Sequence, residues 1–314
     1  MRLSRLFGRT LREAPAEADT ASHRLLVRAG AIDQLGAGLY TLLPFGLRAQ
    51  RKIEGAVRRE LEGVGAQEVL MPVLQPVELW QATGRDVAYG PELYRLRDRR
   101  ERGFVLAPTH EEVVTRLAAT FARSHRQLPA TLFQIQTKMR DEPRPRAGLL
   151  RVREFTMMDA YSFDASAAGM DASFEALRET FHRLFAALGL PVVAVQADSG
   201  AIGGQESVEF VLPSPAGEDT IVRCPLPACG YAANLEKAEL RPAPGATPGA
   251  PEGETPALEE VSTPGVKTID ALAATLRIDP SQTLKAVFYR AGPGPGAEDA
   301  GGELVFVGIR GDLA

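Results

Sequence analysis

The densest chemistry in the sequence lies in KMRDEPRPRAGLLRVREFTMMDAYSF, residues 138–163. Arg140, Arg144, Arg146, Arg151 and Arg153 stand there beside Asp141, Glu142 and Glu154. Guanidinium groups donate in pairs to phosphate oxygens, so such a cluster around the turn PRPRAG can hold a polyanion. A salt-bridged exposed hairpin would have the same composition. Upstream, Thr109, His110, Glu111 and Glu112 form a second polar group, APTHEE. The T-x-x-E spacing from Thr109 to Glu112 is that of a capping box opening the helix EVVTRLAATF. A zinc-protease HExxH is excluded, because position 114 is Val114. Neither a Walker loop nor a GxGxxG turn is present, which excludes both common nucleotide-binding folds.

The bulk properties set wide bounds. A chain of 314 residues suggests about two domains. Net charge is −4, so any nucleic-acid contact must come from local patches such as Arg95, Arg97, Arg99, Arg100 and Arg102. A run of that kind also reads as a solvated face. No apolar run is long enough to span a membrane. The N-terminus begins Arg-rich, but Glu13, Glu17 and Asp19 arrive early, which favours a folded cytoplasmic N-terminus over a transit peptide. The two cysteines, Cys224 and Cys229, make a disulfide framework unexpected. They read either as half a zinc site, since zinc takes about four ligands, or as two thiols.

The elements that must position these groups follow from periodicity. Ile53, Val57, Leu61 and Val64 predict a helix over 51–64 that Gly65 stops. QEVLMP reads as a short strand. FEALRETFHRLFAALG reads as an amphipathic helix, with Phe174, Leu177, Phe181, Leu184 and Leu188 on one face and His182 at the surface. VVAVQAD and ESVEFVL look like strands. Without a regular βαβ rhythm, the mixture favours α+β. Residues 241–265 are dense in Pro, Gly and Ala and read as a linker. Beyond it, KTIDALAATLRI predicts a short helix. LKAVFYR and ELVFVGIR predict strands of a second domain, with too little chain for a full core.

MRDE at 139–142 and RVREF at 151–155 resemble the second signature motif of class II aminoacyl-tRNA synthetases, and the fuller run is close to the bacterial-type prolyl-tRNA synthetase pattern. SHRLLVRAGAIDQLGAGLYTLLPFGLRAQRKIE, MPVLQPVELW, YGPELYRLRDR, FVLAPTHEEV, QIQTKMRDE, VQADSGAIGG and CGYAANLEKAE look like the same family in the same order, over residues 1–240. The resemblance implies a class II synthetase-like antiparallel sheet flanked by helices. It implies a catalytic domain at 1–240, the linker at 241–265, and the start of a small α/β editing insertion domain at 266–314.

The implied reaction is attack by the proline carboxylate on the ATP α-phosphate, followed by transfer to tRNA(Pro). Such chemistry needs alignment and charge neutralisation more than acid–base groups. By resemblance, Arg140 bridges the α-phosphate and the amino-acid carboxylate. Glu142 reads the adenine end, Arg151 lies near the γ-phosphate, and Phe155 stacks on adenine. Thr109 and Glu111 bind the proline ammonium, whose two N–H donors and positive charge suit one hydroxyl and one carboxylate. Asp159 and Tyr161 are implied as further pocket residues. Mg²⁺ is implied as the ion bridging the phosphates. Pro72 in MPVLQP resembles the first class motif, at a homodimer interface.

Two positions depart from the family pattern, Met158 where it commonly has Lys and Val208 where it commonly has His. They keep open an alternative, a catalytically inactive paralogue that binds RNA or protein. VKTIDALAATL, TLKAVFY and VGIRGDLA resemble an editing insertion that hydrolyses mischarged alanine, with Lys285 matching its lysine. A pocket sized for proline cannot strongly exclude the smaller alanine, so a second sieve is useful. In LKAVFYR, strand alternation also makes Lys285 readable as an ordinary solvated lysine. The resemblance further implies that the third class motif, the anticodon-binding domain and most of the editing insertion lie outside these residues. The chain alone is therefore expected not to sustain aminoacylation.

Overall fold

The computed structural model describes residues 3–199, 204, 206–215, 217–226, 228–239, 260–291 and 303–313. The chain forms two compact units, Met1–Leu240 and Arg241–Ala314. The Pro/Gly/Ala-rich segment falls outside the described residues up to position 259, as does most of the loop between the last two strands.

The first unit opens with helix α1 (Ala21–Arg28), whose N-cap Thr20 accepts a hydrogen bond from the His23 amide. A hairpin follows, β1 (Ile32–Gly36) and β2 (Leu39–Leu42), antiparallel. Helix α2 runs Pro44–Glu62, beginning seven residues earlier than the periodicity over 51–64 suggests. Pro44 occupies the first turn, where its missing N–H costs nothing. Gly65, at φ +82, lets the chain turn back so that the Ala66 amide reaches the Leu61 carbonyl at 3.1 Å.

QEVLMP forms only a two-residue ladder, β3 (Gln67–Glu68). The Val69 amide still donates to the Phe133 carbonyl at 2.8 Å, and side chains then take over. The Met71 amide donates to Gln134 Oε1 at 2.9 Å, and Gln136 Nε2 donates to the Met71 carbonyl at 3.0 Å. Strand β4 (Leu74–Pro76), short helices α3 (Val77–Gln81) and α4 (Arg85–Ala88), and strands β5 (Arg95–Arg97) and β6 (Gly103–Leu106) follow, the strands in the order β4-β6-β5. Trp80, Leu93 and Val105 are the buried core beneath them. The arginine run here is a solvated hairpin, with Arg97 paired to Glu101 and Arg102 to Asp98.

Helix α5 (Glu111–Phe121) leads into the long antiparallel pair β7 (Ala130–Met139) and β8 (Glu154–Phe163), with β3 parallel to β7 at the edge. Helix α6 (Ala167–Ala187) starts seven residues before the predicted one, because Ser166 caps it by accepting from the Gly169 amide. Strands β9 (Val193–Ala197), β10 (Ser207–Val211), β11 (Ile221–Arg223) and β12 (Ala232–Asn234) form a sheet in the order β10-β9-β12-β11. His182 is not a free surface group, since Phe210 packs edge-on against it at 4.9 Å.

Residues directly opposite across an antiparallel pair share a face. Phe133, Ile135, Met158 and Ala160 therefore point together, and they pack with Ala56, Val57, Leu61 and Leu184 from α2 and α6. Gln134, Gln136, Lys138, Phe155, Asp159 and Tyr161 share the opposite face. One face makes the core and the other carries the polar chemistry. The fold is α+β, with helices flanking largely antiparallel sheets.

In the second unit, helix α7 (Ile269–Leu276) precedes the hairpin β13 (Leu284–Ala291) and β14 (Glu303–Arg310). Thr268 caps α7 by accepting from the Ala271 amide. Lys285 is exposed and lies opposite Ile309.

Candidate functional site

The site face of β7 and β8 is built from polar residues alternating with apolar ones in FQIQTK. Gln134 pairs directly across from Asp159, and Leu132 across from Tyr161. Asp159 gathers the cluster. Its Oδ1 accepts from Lys138 Nζ at 2.6 Å, while Oδ2 accepts from Gln134 Nε2 at 2.9 Å and from the Tyr161 hydroxyl at 2.6 Å. The Tyr161 oxygen accepts in turn from the His110 amide at 3.3 Å. Burial and the bond to Asp159 push the Tyr161 phenol far above its ordinary value, so it stays a donor. Burial pushes the Lys138 ammonium down, with Asp159 pulling it back.

The Thr109–Glu112 capping box does not form. The N-cap of α5 is His110, which makes no side-chain cap, so Thr109 lies one residue too early. Its hydroxyl donates to Glu111 Oε2 at 2.5 Å instead. Glu112 is captured by Arg85 Nη1 at 2.9 Å, and burial raises its carboxyl above the usual range. Both carboxylates occupy the first turn of α5, where the helix dipole favours negative charge. Arg85 also reaches Glu111 Oε2 at 3.3 Å and lies over the rings of Trp80, at 5.4 Å, and Tyr89, at 5.9 Å. The fully buried Trp80 indole donates to Gln75 Oε1 at 2.8 Å, and Gln75 Nε2 donates to the Thr109 carbonyl at 3.5 Å.

Arg140 joins this group from the end of β7. Its Nη2 donates to the Pro108 carbonyl at 3.4 Å, and its guanidinium lies over the Phe155 ring at 5.4 Å. Arg140 makes no ion pair among the described residues, and its buried Nε has no partner. In the hairpin beyond, Glu142 Oε2 accepts from Arg151 Nε at 2.8 Å and Oε1 from the Arg144 amide at 2.8 Å. The Arg151 bond holds the Glu142 carboxyl below its usual range. The hairpin is thus partly the salt-bridged structure that its composition allows, with Arg146 also paired to Glu218 at 2.6 Å. Its turn uses Ala147 and Gly148 at positive φ, and a Cβ on Gly148 would lie 2.9 Å from His23 Cγ.

The structure therefore brings Thr109, Glu111, Arg140, Phe155, Asp159 and Tyr161 to one side of the β7–β8 pair, with Glu142 and Arg151 in the adjoining hairpin. Lys138, Gln134 and Arg85 belong to the same arrangement and were not singled out from the sequence, and His110, noted there only against a zinc-protease motif, joins them. The alternation of Gln134, Gln136 and Lys138 with Phe133 and Ile135 was the available signal. Met158 packs on the helix-facing side, so its departure from lysine does not reach the site. Val208 is half-buried on β10, opposite Gln196.

Among the described residues no three His, Cys, Asp or Glu side chains come together to hold a metal. A phosphate-bridging Mg²⁺ needs only about one or two protein carboxylates, but no geometry here assigns them. Cys224 is half-buried just past β11 and Cys229 is exposed.

His110 gives a pH prediction. Its Nε2 lies 3.1 Å from the Pro72 carbonyl, and burial followed by repulsion from Lys138 lowers its pKa from 6.5 to about 4. Between those values the unfolded chain binds a proton that the folded chain does not. Stability must then fall as pH falls through this window, by about 3 kcal/mol. Denaturant melts near pH 7 and pH 4.5 should show a shallower loss for His110→Gln than for the parent chain. Identical slopes would remove His110 as the cause.

The comparisons agree on one family. The family model of the tRNA synthetase class II core domain (G, H, P, S and T) matches residues 94–280. A proline--tRNA ligase of Dehalococcoides mccartyi is 50% identical over 313 residues, covering 100% of this chain and 52% of that protein. A proline--tRNA ligase of Nitratidesulfovibrio vulgaris is 50% identical over 312 residues, covering 99% and 52%. The chain spans about half the length of the curated relatives it matches. Among solved structures, prolyl-tRNA synthetase from Cryptosporidium parvum, complexed with L-proline and AMP, superposes with a TM-score of 0.55 at 17% identity, over 64% of this chain and 42% of that one. The Giardia lamblia enzyme with prolyl-adenylate gives 0.52 at 20% identity, over 55% and 36%. At those identities the superpositions show the shared fold.

Proposed function

Because the chain belongs to the tRNA synthetase class II core-domain family, we propose that its site binds L-proline and ATP and forms prolyl-adenylate, for transfer to tRNA(Pro). The observation that carries this reading is the contact of Arg140 Nη2 with the Pro108 carbonyl, at 3.4 Å, one residue from Thr109. It sets an unpaired guanidinium beside a hydroxyl–carboxylate pair. An α-amino acid presents a cationic amine and a carboxylate on neighbouring atoms. Thr109 and Glu111 take the amine, and Arg140 takes the carboxylate together with a non-bridging oxygen of the α-phosphate whose phosphorus the carboxylate attacks.

The carboxylate oxygen bonds to the α-phosphorus as the bond to pyrophosphate breaks. No side chain need transfer a proton, so the work is positioning and charge neutralisation. Phe155 offers an apolar ring near the nucleotide, Glu142 a carboxylate for the adenine end, and Arg151 a cation for the outer phosphates. The chemistry that Mg²⁺ supplies when bound is neutralisation of phosphate charge. Homodimerisation through the region of Pro72, a cytoplasmic setting, and alanine editing at Lys285 belong to the same reading. Among the described residues, no helix is long and apolar enough to cross a membrane.

Calorimetric titration of the chain tests the substrate. L-proline should bind at least about tenfold more tightly than L-threonine or L-serine, a difference of about 1.4 kcal/mol. A non-hydrolysable prolyl-adenylate analogue should bind more tightly still. Equal affinity for the amino acids, or none for proline, would overturn the assignment.

A further inference from the structure

We propose that Lys138 is a positioning residue of the amine pocket, acting through Asp159 and Tyr161 on the backbone that carries Thr109 and Glu111. The proposal rests on the amine-pocket reading above. Lys138 is 0% exposed, a rare state for lysine. Its ammonium therefore meets no ligand directly. Its one hydrogen-bond partner among the described residues is Asp159 Oδ1, at 2.6 Å.

From Asp159 the connection runs on to the start of α5, with a second branch through Gln134. Asp159 Oδ2 holds the Tyr161 hydroxyl at 2.6 Å, and that oxygen receives the His110 amide at 3.3 Å. His110 lies between Thr109 and Glu111 in the chain and is the N-cap of α5. Gln134 steadies the same Asp159 oxygen at 2.9 Å and also accepts the Met71 amide. The His110 ring spans the gap by reaching the Pro72 carbonyl at 3.1 Å. The start of α5 is thus tied to the sheet through a buried ion pair. An apolar pair of similar volume would commonly be as stable or more so, so stability alone does not account for this ion pair.

Charge and placement predict opposite signs here. A cation beneath a pocket for a cationic amine repels the ligand. If Lys138 acted through its field alone, removing it would tighten amine binding. If it acts by placing Thr109 and Glu111, removing it weakens binding.

The test compares the parent chain with Lys138→Met and with Lys138→Met/Asp159→Leu. The single variant leaves Asp159 unpaired and can fail to fold. The double variant removes both charges and keeps the question answerable. Affinity for L-proline is measured by calorimetry, and exchange of the His110 amide by NMR, with amides of α2 as reference. Both variants should bind L-proline at least tenfold more weakly, the double no more weakly than the single. Exchange at His110 should rise at least tenfold against the α2 reference in whichever variants fold. Unchanged or tighter proline binding in the double variant overturns the proposal, as does unchanged exchange at His110. If the parent chain itself fails to bind L-proline, the substrate reading falls, and the exchange result alone decides the link from Lys138 to His110.

Discussion

Arg140→Ala is expected to lower proline-dependent ATP–pyrophosphate exchange by about 10²–10³-fold, because one lost donor at a developing phosphate charge costs that much. The assay is run on the protein extended to the length of its curated relatives, beside Arg178→Ala, a surface helix variant, as control. Two other effects of the substitution are smaller. The guanidinium over Phe155, at 5.4 Å, contributes about 0.5–1 kcal/mol to folding. The 3.4 Å bond to the Pro108 carbonyl is long and adds little. Thermal melting should therefore move by only a few degrees while exchange collapses. In the 314-residue chain the same substitution should weaken binding of a prolyl-adenylate analogue far more than binding of adenosine. Exchange at the parent rate would remove Arg140 from the reacting phosphate.

Much of the framework was legible from periodicity. The strands β9, β10, β13 and β14 lie where β-branched runs place them, whereas the long β7–β8 pair was not read from periodicity, only the turn PRPRAG between its strands. The errors cluster at element ends and have specific causes. Helix α2 begins at Pro44 rather than near 51, because a proline in the first turn starts a helix whose apolar stripe only becomes regular later. Strand β3 stops at Glu68 because Gln134 and Gln136 bind Met71 by side chain, a substitution no local pattern announces. The Thr109–Glu112 capping box had the right spacing, but Arg85 takes Glu112 and Glu111 takes the Thr109 hydroxyl.

The site was half legible for a related reason. Arginines and carboxylates near one another advertise phosphate chemistry in any sequence. Lys138 and Gln134 did not, because polar residues alternating along a strand ordinarily face water. The structure shows that this face is covered, with Gln134 and Lys138 each 0% exposed. The departure at Met158 looked relevant from its place beside Asp159. Period-two geometry sends it to the opposite side of the sheet, among Phe133, Leu61 and Leu184.

Glu111→Ala should weaken L-proline binding by about 2–5 kcal/mol, the usual cost of removing one member of a desolvated charge pair. That is at least about 30-fold in the dissociation constant. The surroundings argue that the loss will be one of recognition rather than of folding. Glu111 is about a third exposed in its side chain, at 33%, and its ion pair with Arg85 is the longer of the two, 3.3 Å against 2.9 Å to Glu112. Removing it leaves Arg85 still paired and still between Trp80 and Tyr89. The Thr109 hydroxyl loses its 2.5 Å acceptor and can turn elsewhere. Glu111→Gln separates charge from shape, since it keeps an acceptor oxygen and removes the negative charge. If neutralising the ammonium is the main role, Gln should behave like Ala. If accepting a hydrogen bond is enough, Gln should recover most of the affinity. Affinity for ATP should change little in either variant, because Glu111 lies on the amine side of Arg140. Calorimetry with L-proline and with ATP reads both. Parent-like proline affinity in Glu111→Ala would take Glu111 out of the pocket.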